Sequence, residues 1–288
     1  MRTPDERFAD LPGFAYAPRY VQWRDWRVHY IDEGKADRTF LCLHGEPTWS
    51  YLYRRMIPVF LNSAARVVAP DFIGFGRSDK PEDEALYSFD FHRRFLFDFI
   101  EGKDLSRITL VVQDWGGLLG LTLPMEMPER FERLLVMNTM LATGDLPLSD
   151  GFIAWRAYVA KNPDLACGKL MARTCPHLTP AEVAAYDAPF PDTRFKAGAR
   201  RFPQLVPEHR DDPGAELSRK ARDWFGKAWQ GESFMAVGVK DPVLGLPVMR
   251  ELRQSIRGCP EPYLVQDGGH FVQEWGEEVA AAALRHWS

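Results

Sequence analysis

Four cysteines in 288 residues, none in a CxxC pair, leave no disulfide framework and no zinc ribbon. Cys42, Cys167, Cys175 and Cys259 are therefore expected as free thiols, as in the cytoplasm. No histidine or cysteine cluster has ligand spacing, and no glycine-rich phosphate loop follows an early apolar run. Neither a metal nor any other cofactor is expected. No stretch reaches the ~18 consecutive apolar residues that a membrane span needs. The opening Met1-Arg2-Thr3-Pro4-Asp5-Glu6-Arg7 is polar and lacks the apolar core of a secretory signal. Thirty-six Lys and Arg against 40 Asp and Glu give a net charge of −4, well interspersed. That leaves no basic stripe for nucleic acid and no charged tail. With no signal for a partner chain, a monomer is expected.

The chain is 45% hydrophobic and long enough for one large α/β domain or two ordinary ones. Thr39 to Leu43, Ala65 to Ala69, Ile108 to Val112, Leu134 to Met137, Ser233 to Val237 and Tyr263 to Val265 read as strands buried on both faces. Helix-length segments separate them, which predicts a mainly parallel sheet covered by helices. In such sheets chemistry gathers at the carboxyl ends of the strands. The unusual residues fall there: His44-Gly45-Glu46-Pro47, Asp71, Asp114-Trp115-Gly116-Gly117, Asp241 and Gly268-Gly269-His270. Gly74-Phe75-Gly76 reads as a turn after Asp71. The strand rhythm lapses between about Asp145 and Asp212, where short helices are expected. Thr179-Pro180-Ala181-Glu182 is a capping box, and Phe152, Trp155 and Val159 recur at helical spacing. A helical cap domain is thus expected over 145–212, inserted into a core domain of 1–144 and 213–288.

Val111-Val112-Gln113-Asp114-Trp115-Gly116-Gly117 runs from an apolar strand into a polar residue and then into glycines that start a helix. This is the pattern of a nucleophile elbow, with aspartate where many hydrolases carry serine; Val112 stands where the serine motif has glycine. Alone, Asp114 reads equally well as a helix N-cap. Asp241, before Pro242, alone reads as a turn residue, and His270 alone as a structural histidine. Together, each at a strand end, they follow the order nucleophile, acid, histidine of the α/β-hydrolase triad. Asp241 would then accept the Nδ1 proton of His270 and leave Nε2 as the base.

An aspartate nucleophile narrows the reaction. Serine attacking an alkyl carbon would form an ether, which water and a histidine base cannot readily cleave. A carboxylate forms an ester, which they can. The reacting centre is then a saturated carbon bearing a leaving group or a strained ring: an alkyl halide or an epoxide. Attack needs the ionised carboxylate, which the positive end of the following helix favours. The backbone amides of Glu46 and Trp115 are placed as oxyanion donors for ester hydrolysis. The Glu46 side chain is expected as a solvated loop carboxylate with no catalytic role.

Over nearly its whole length, from roughly Arg2 to Val279, the chain resembles the haloalkane dehalogenases, in the subfamily typified by the dichloroethane-hydrolysing enzyme. His44 to Phe60, Ala69 to Pro81, Val111 to Met125, Ala188 to Pro203 and Gly269 to Val279 carry the likeness. It implies an α/β-hydrolase fold and hydrolysis of small haloalkanes to alcohol, halide and a proton, without a cofactor. It places the nucleophile on Asp114, the triad acid on Asp241 and the base on His270. The halide-binding tryptophans fall on Trp115 and, within Gly151-Phe152-Ile153-Ala154-Trp155, on Trp155. From spacing alone Trp155 would be a core aromatic on an apolar stripe. Pocket walls carry over to Phe152, Phe202, Pro203, Val206 and Leu244. Thr174 and Leu118 stand where the subfamily's namesake has tryptophan and phenylalanine, and the segment 143–150 is shorter. Pocket volume and substrate preference are expected to differ accordingly.

Epoxide hydrolases share the triad and the fold but activate the ring oxygen with cap tyrosines; Tyr158 and Tyr186 are the candidates. Trp115 and the Gly-Phe-x-Ala-Trp segment favour halide. A fluoroacetate dehalogenase would carry arginines beside the nucleophile, where Gly116 and Gly117 stand. A binding protein that has lost turnover need not keep all three triad members and both oxyanion loops.

Overall fold

The apolar runs become the strands buried on both faces, and in the computed structural model, which describes all 288 residues, they form one eight-stranded sheet. The chain runs through β1 (Arg19–Trp23), β2 (Trp26–Glu33), β3 (Thr39–Leu43), α1 (Ile57–Asn62), β4 (Arg66–Pro70) and α2 (Phe89–Gly102). It continues through β5 (Ile108–Gln113), α3 (Trp115–Gly120) and β6 (Phe131–Met137). Then α4 (Asp150–Lys161), α5 (Cys167–Thr174), α6 (Pro180–Asp187), α7 (Ala197–Leu205) and α8 (Ala215–Lys227) follow with no strand between them. β7 (Glu232–Gly238), α9 (Leu246–Ser255), β8 (Tyr263–Val265) and α10 (Gly276–His286) complete it.

The strand order is β1-β2-β4-β3-β5-β6-β7-β8. From β4 to β8 all pairs are parallel, and β1 and β2 add an antiparallel hairpin at one edge. Every residue of β3 and β5 is buried, as a central parallel strand covered on both faces requires. α2 covers the sheet with Phe89, His92, Phe95, Leu96, Phe99 and Ile100, an i, i+3, i+4 stripe, and starts where Ser88 accepts the Phe91 amide. The Asp71 turn also forms: Gly74 and Gly76 take positive φ, and a Cβ on Gly76 would collide with the Asp71 carboxylate.

Met171 of α5, Tyr186 of α6 and Phe202 of α7 belong to the same apolar core as the sheet. A buried ionic network ties α6 to the segment after β3. Arg54, 4% exposed, donates to both oxygens of Glu274 at 2.7 and 2.8 Å and to Glu182 at 2.8 Å. Tyr186 donates its hydroxyl to Glu274, and Arg55 reaches both carboxylates. Glu182 also closes the expected capping box with Thr179.

Removing one partner of a buried, hydrogen-bonded charge pair leaves the other uncompensated, at about 3–5 kcal/mol. Arg54→Met should therefore lower the stability measured by urea denaturation by that amount. Arg55→Met, whose side chain is 28% exposed, should lower it by less than about 1 kcal/mol.

Candidate active site

β4 lies on one flank of β3 and β5 on the other, so the chain reverses its direction of travel across the sheet at this point. The crevice outside the strand ends at such a reversal is where open parallel sheets bind ligands. Here it is walled by His44-Gly45-Glu46 and Gln113-Asp114-Trp115.

Asp114 has φ 49° and ψ −128°, a conformation that side-chain-bearing residues rarely adopt. Its side chain does not cap α3, which removes the N-cap alternative. Oδ1 instead accepts the Glu46 backbone N–H at 2.8 Å. The elbow is braced by its own N–H donating to Asn138 O at 3.0 Å and by the Thr139 hydroxyl donating to Asp114 O at 2.7 Å. Glycines make the fit possible. A Cβ on Gly45 would strike the Asp114 carboxylate, and one on Gly116 the backbone carbonyl of Leu43.

His270 brings Nδ1 to 2.8 Å from Asp241 Oδ2 and Nε2 to 3.5 Å from Asp114 Oδ2. Burial would raise Asp241, but His270, the Val243 N–H and the Asn138 amide outweigh it and hold the carboxyl below its usual range. Burial opposes the imidazolium of His270, yet the neighbouring Asp241 and Asp114 prevail and raise it to about 10. Two further residues, neither assigned a role from the sequence, join the site. Asn138 donates to Asp241 Oδ2 at 2.9 Å, and the Gln113 amide lies 2.9 Å from His270 Nε2. Both are polar residues at the carboxyl end of a strand, which was the available signal.

The Glu46 side chain is not the solvated loop carboxylate expected; it is 4% exposed and its Oε1 has no partner. Burial, and then the charge of Asp114, push it well above the usual carboxylate range, while His270 and the Trp155 indole pull it back. Trp155 thus comes to the site from α4, while Trp115, 3% exposed, is the first residue of α3 and packs on Phe202 at 4.8 Å. Of the stripe expected on α4 only Val159 is buried; Phe152 faces a cavity and Trp155 stacks on Tyr158. That cavity, about 320 Å³, is lined by Phe152, Leu244, Met140, Leu141 and Val248 among others and by none of Asp114, Trp115, Trp155 and His270. Phe202, Pro203 and Val206 lie buried along α7 and just after it, and Leu118 is buried in α3. Thr174, partly exposed at the end of α5, has its carbonyl beside Gly269, one residue before His270. Asp71 takes no part: it is buried and held by His29, the Ser50 amide and the Arg77 amide. No group of three His, Cys, Asp or Glu side chains is placed to hold a metal ion.

Residues 38–277 match the family model of the α/β hydrolase fold. A haloalkane dehalogenase of Psychrobacter cryohalolentis is 43% identical over 97% of this chain and 95% of its own length. One from Mycobacterium marinum is 42% identical over 100% and 99%. The chain belongs to the haloalkane dehalogenase family. Its structure superposes on the haloalkane dehalogenase DpaA from Paraglaciecola agarilytica NO2, described as tetrameric, with a TM-score of 0.97 and 49% identity over 99% of this chain and 97% of that one. The fold is thus the α/β-hydrolase fold expected, and the protein is a hydrolase of carbon–halogen bonds. Neither tyrosine that an epoxide hydrolase would use is suitably placed. Tyr186 gives its hydroxyl to Glu274, and Tyr158 is 50% exposed.

A misplacement of about 1 Å at a reacting group costs on the order of a hundredfold in rate. Gly45→Ala, whose nearest clashes are all with the Asp114 side chain, should yield folded protein whose halide release is slower by about that factor. Gly116→Ala, which meets the β3 backbone, should not fold. Near-ultraviolet circular dichroism and halide release separate the two; normal turnover in Gly45→Ala would clear Asp114 of any part in the chemistry.

Proposed function

We propose that the protein hydrolyses small haloalkanes through an alkyl ester on Asp114. The observation that carries this reading is the carboxylate itself: it sits on a strained elbow, with the Glu46 amide on one oxygen and His270 3.5 Å from the other. In the first step an Asp114 oxygen forms a bond to carbon as the carbon–halogen bond breaks and the halide leaves with the electron pair. The indole N–H groups of Trp115 and Trp155 receive the growing negative charge. In the second step water gives a proton to His270 Nε2 and its oxygen attacks Cγ of Asp114. The oxyanion that forms is held by the backbone amides of Glu46 and Trp115. Collapse expels the alcohol, which takes the proton from Nε2, and restores the carboxyl of Asp114, now with one oxygen from water. The net products are alcohol, halide and one proton.

The charges support this order. Asp114 and Asp241 both favour the imidazolium of His270. Esterification neutralises Asp114, so one of the two carboxylates vanishes just when His270 must be unprotonated. Phe152, Phe202, Pro203, Val206, Leu244, Leu118 and Thr174 are the pocket walls in this reading, and 145–212 is the cap domain over a core of 1–144 and 213–288. Substrate, water and halide are the only partners, with no nucleic acid. No helix is long and apolar enough to cross a membrane, and four buried free thiols suit the cytoplasm. We read the chain as a monomer; sedimentation would decide against the tetramer described for DpaA.

His270→Phe should limit halide release to a single turnover and leave the alkyl group on the peptide containing Asp114, detected by mass spectrometry. A stoichiometric burst without an adduct would rule out the ester. Removing a donor aimed at developing charge costs about 3 kcal/mol, on the order of a hundredfold. Trp155→Phe should slow carbon–halogen cleavage by that factor and weaken quenching of tryptophan fluorescence by bromide. Loss of stability with both properties unchanged would make Trp155 a packing residue.

A further inference from the structure

Gln113 is the last residue of β5 and the neighbour of Asp114, and it is fully buried. Its side-chain amide nitrogen lies 3.1 Å from the backbone carbonyl of His270 and 2.9 Å from Nε2 of the same residue. Its oxygen accepts from the side-chain amide of Gln273, itself buried, at 3.3 Å. The orientation of the amide follows from these partners. A backbone carbonyl can only accept, so the atom against it must be the NH2, and the Gln273 donor fixes the oxygen at the other end. One N–H is then spent on the carbonyl, and the second faces the ring nitrogen. A donor at 2.9 Å requires a lone pair opposite it, so this contact belongs to the neutral ring, the form that Asp241 and Asp114 oppose.

We propose that Gln113 is a positioning residue that keeps Nε2 of His270 bare, ready for the proton of the attacking water. The inference rests on the reading of His270 as the base for ester hydrolysis and adds a part to it. When water enters, its O–H replaces the Gln113 N–H on Nε2, and the amide keeps its hold on the His270 carbonyl. Water's proton then passes to Nε2 as its oxygen bonds to Cγ of Asp114. Once the alcohol has taken that proton away, the amide returns to the freed lone pair.

The charged groups facing His270 are Asp241 beyond β7, Asp114 beyond β5 and Glu46 beyond β3. Glu274, in the turn that follows His270, is engaged by Arg54. Asp241 and Asp114 favour a proton on Nε2, and so does any charge that Glu46 carries. Gln113 is a neutral donor set against them. It disfavours the imidazolium because N–H would then face N–H.

The test is the decay of the alkyl-enzyme in single turnovers of 1-bromobutane, followed by rapid quench and mass spectrometry across pH. The acid limb of that decay reports His270 in the esterified protein. Gln113→Met removes the donor at similar volume and should move the limb to higher pH by about one unit. Gln113→Glu replaces it with an acceptor for a protonated Nε2 and should move the limb further the same way. The bromide burst, which does not use the base, should persist in both. Equal slowing at every pH, or a limb that stays put in whichever variant folds, would overturn the role of Gln113. A wild-type protein with no alkyl-enzyme would instead overturn the mechanism on which it rests.

Discussion

The left-handed backbone at Asp114 is the constraint to which the rest of the site is fitted. A side-chain-bearing residue there costs on the order of 1–3 kcal/mol and persists only where its surroundings impose it. Those surroundings are the Asn138 carbonyl and Thr139 hydroxyl at the end of β6, and the glycines that let α3 lie directly on β3. The turn lifts the carboxylate out of the sheet and into the crevice where β3 and β5 diverge. There it meets the Glu46 amide. A relaxed backbone would return Asp114 to its ordinary use as a helix cap.

Around that carboxylate the protein assembles two further carboxyl groups and a single imidazole. Asp114 and Asp241 flank His270, and Glu46 lies buried beside Asp114. The arrangement is poised rather than balanced. Burial favours the neutral form of each group, and the neutral amides of Asn138 and Gln113 fix which oxygen and which nitrogen face one another. The ester proposed on Asp114 would remove one of these charges and with it part of the preference of His270 for its protonated form.

Five of the six apolar runs read as strands lie within strands of the sheet, and the sixth, Ala65 to Ala69, is offset by one residue from β4, because a strand buried on both faces writes itself as uninterrupted apolar sequence. The β1–β2 hairpin escaped that criterion. Its edge position leaves Arg19 and Gln22 exposed, and the alternation of Val21, Trp23, Trp26, Val28 and Tyr30 is broken by the tight Arg24–Asp25 turn. The meeting of Asp114, Asp241 and His270 was legible because the three sit at strand ends in a fixed order. The burial of Glu46 was not, since it involves Trp155, more than a hundred residues later. Nor was the Arg54–Glu274 pair, whose members stand 220 residues apart. Local pattern reports what a residue's own strand or helix does with it. It is silent about what the other elements bring to cover it.

The start of α4 is clasped to the loop that carries Asp241. Ser149 donates to the Val243 carbonyl at 2.9 Å, and Gly151 lies so close to the Pro242 carbonyl that no Cβ fits. Between the end of β6 and this clasp runs the segment 138–148. Shortening or lengthening that segment therefore acts on two things together: the room beside Phe152 and Leu244, and the tether on Asp241, which touches His270. The volume of that cavity and the position of the Asp241 loop are mechanically geared to each other in this chain. Loop exchange meant to widen the pocket will be tolerated only where Ser149 and Gly151 keep their footing on Pro242 and Val243.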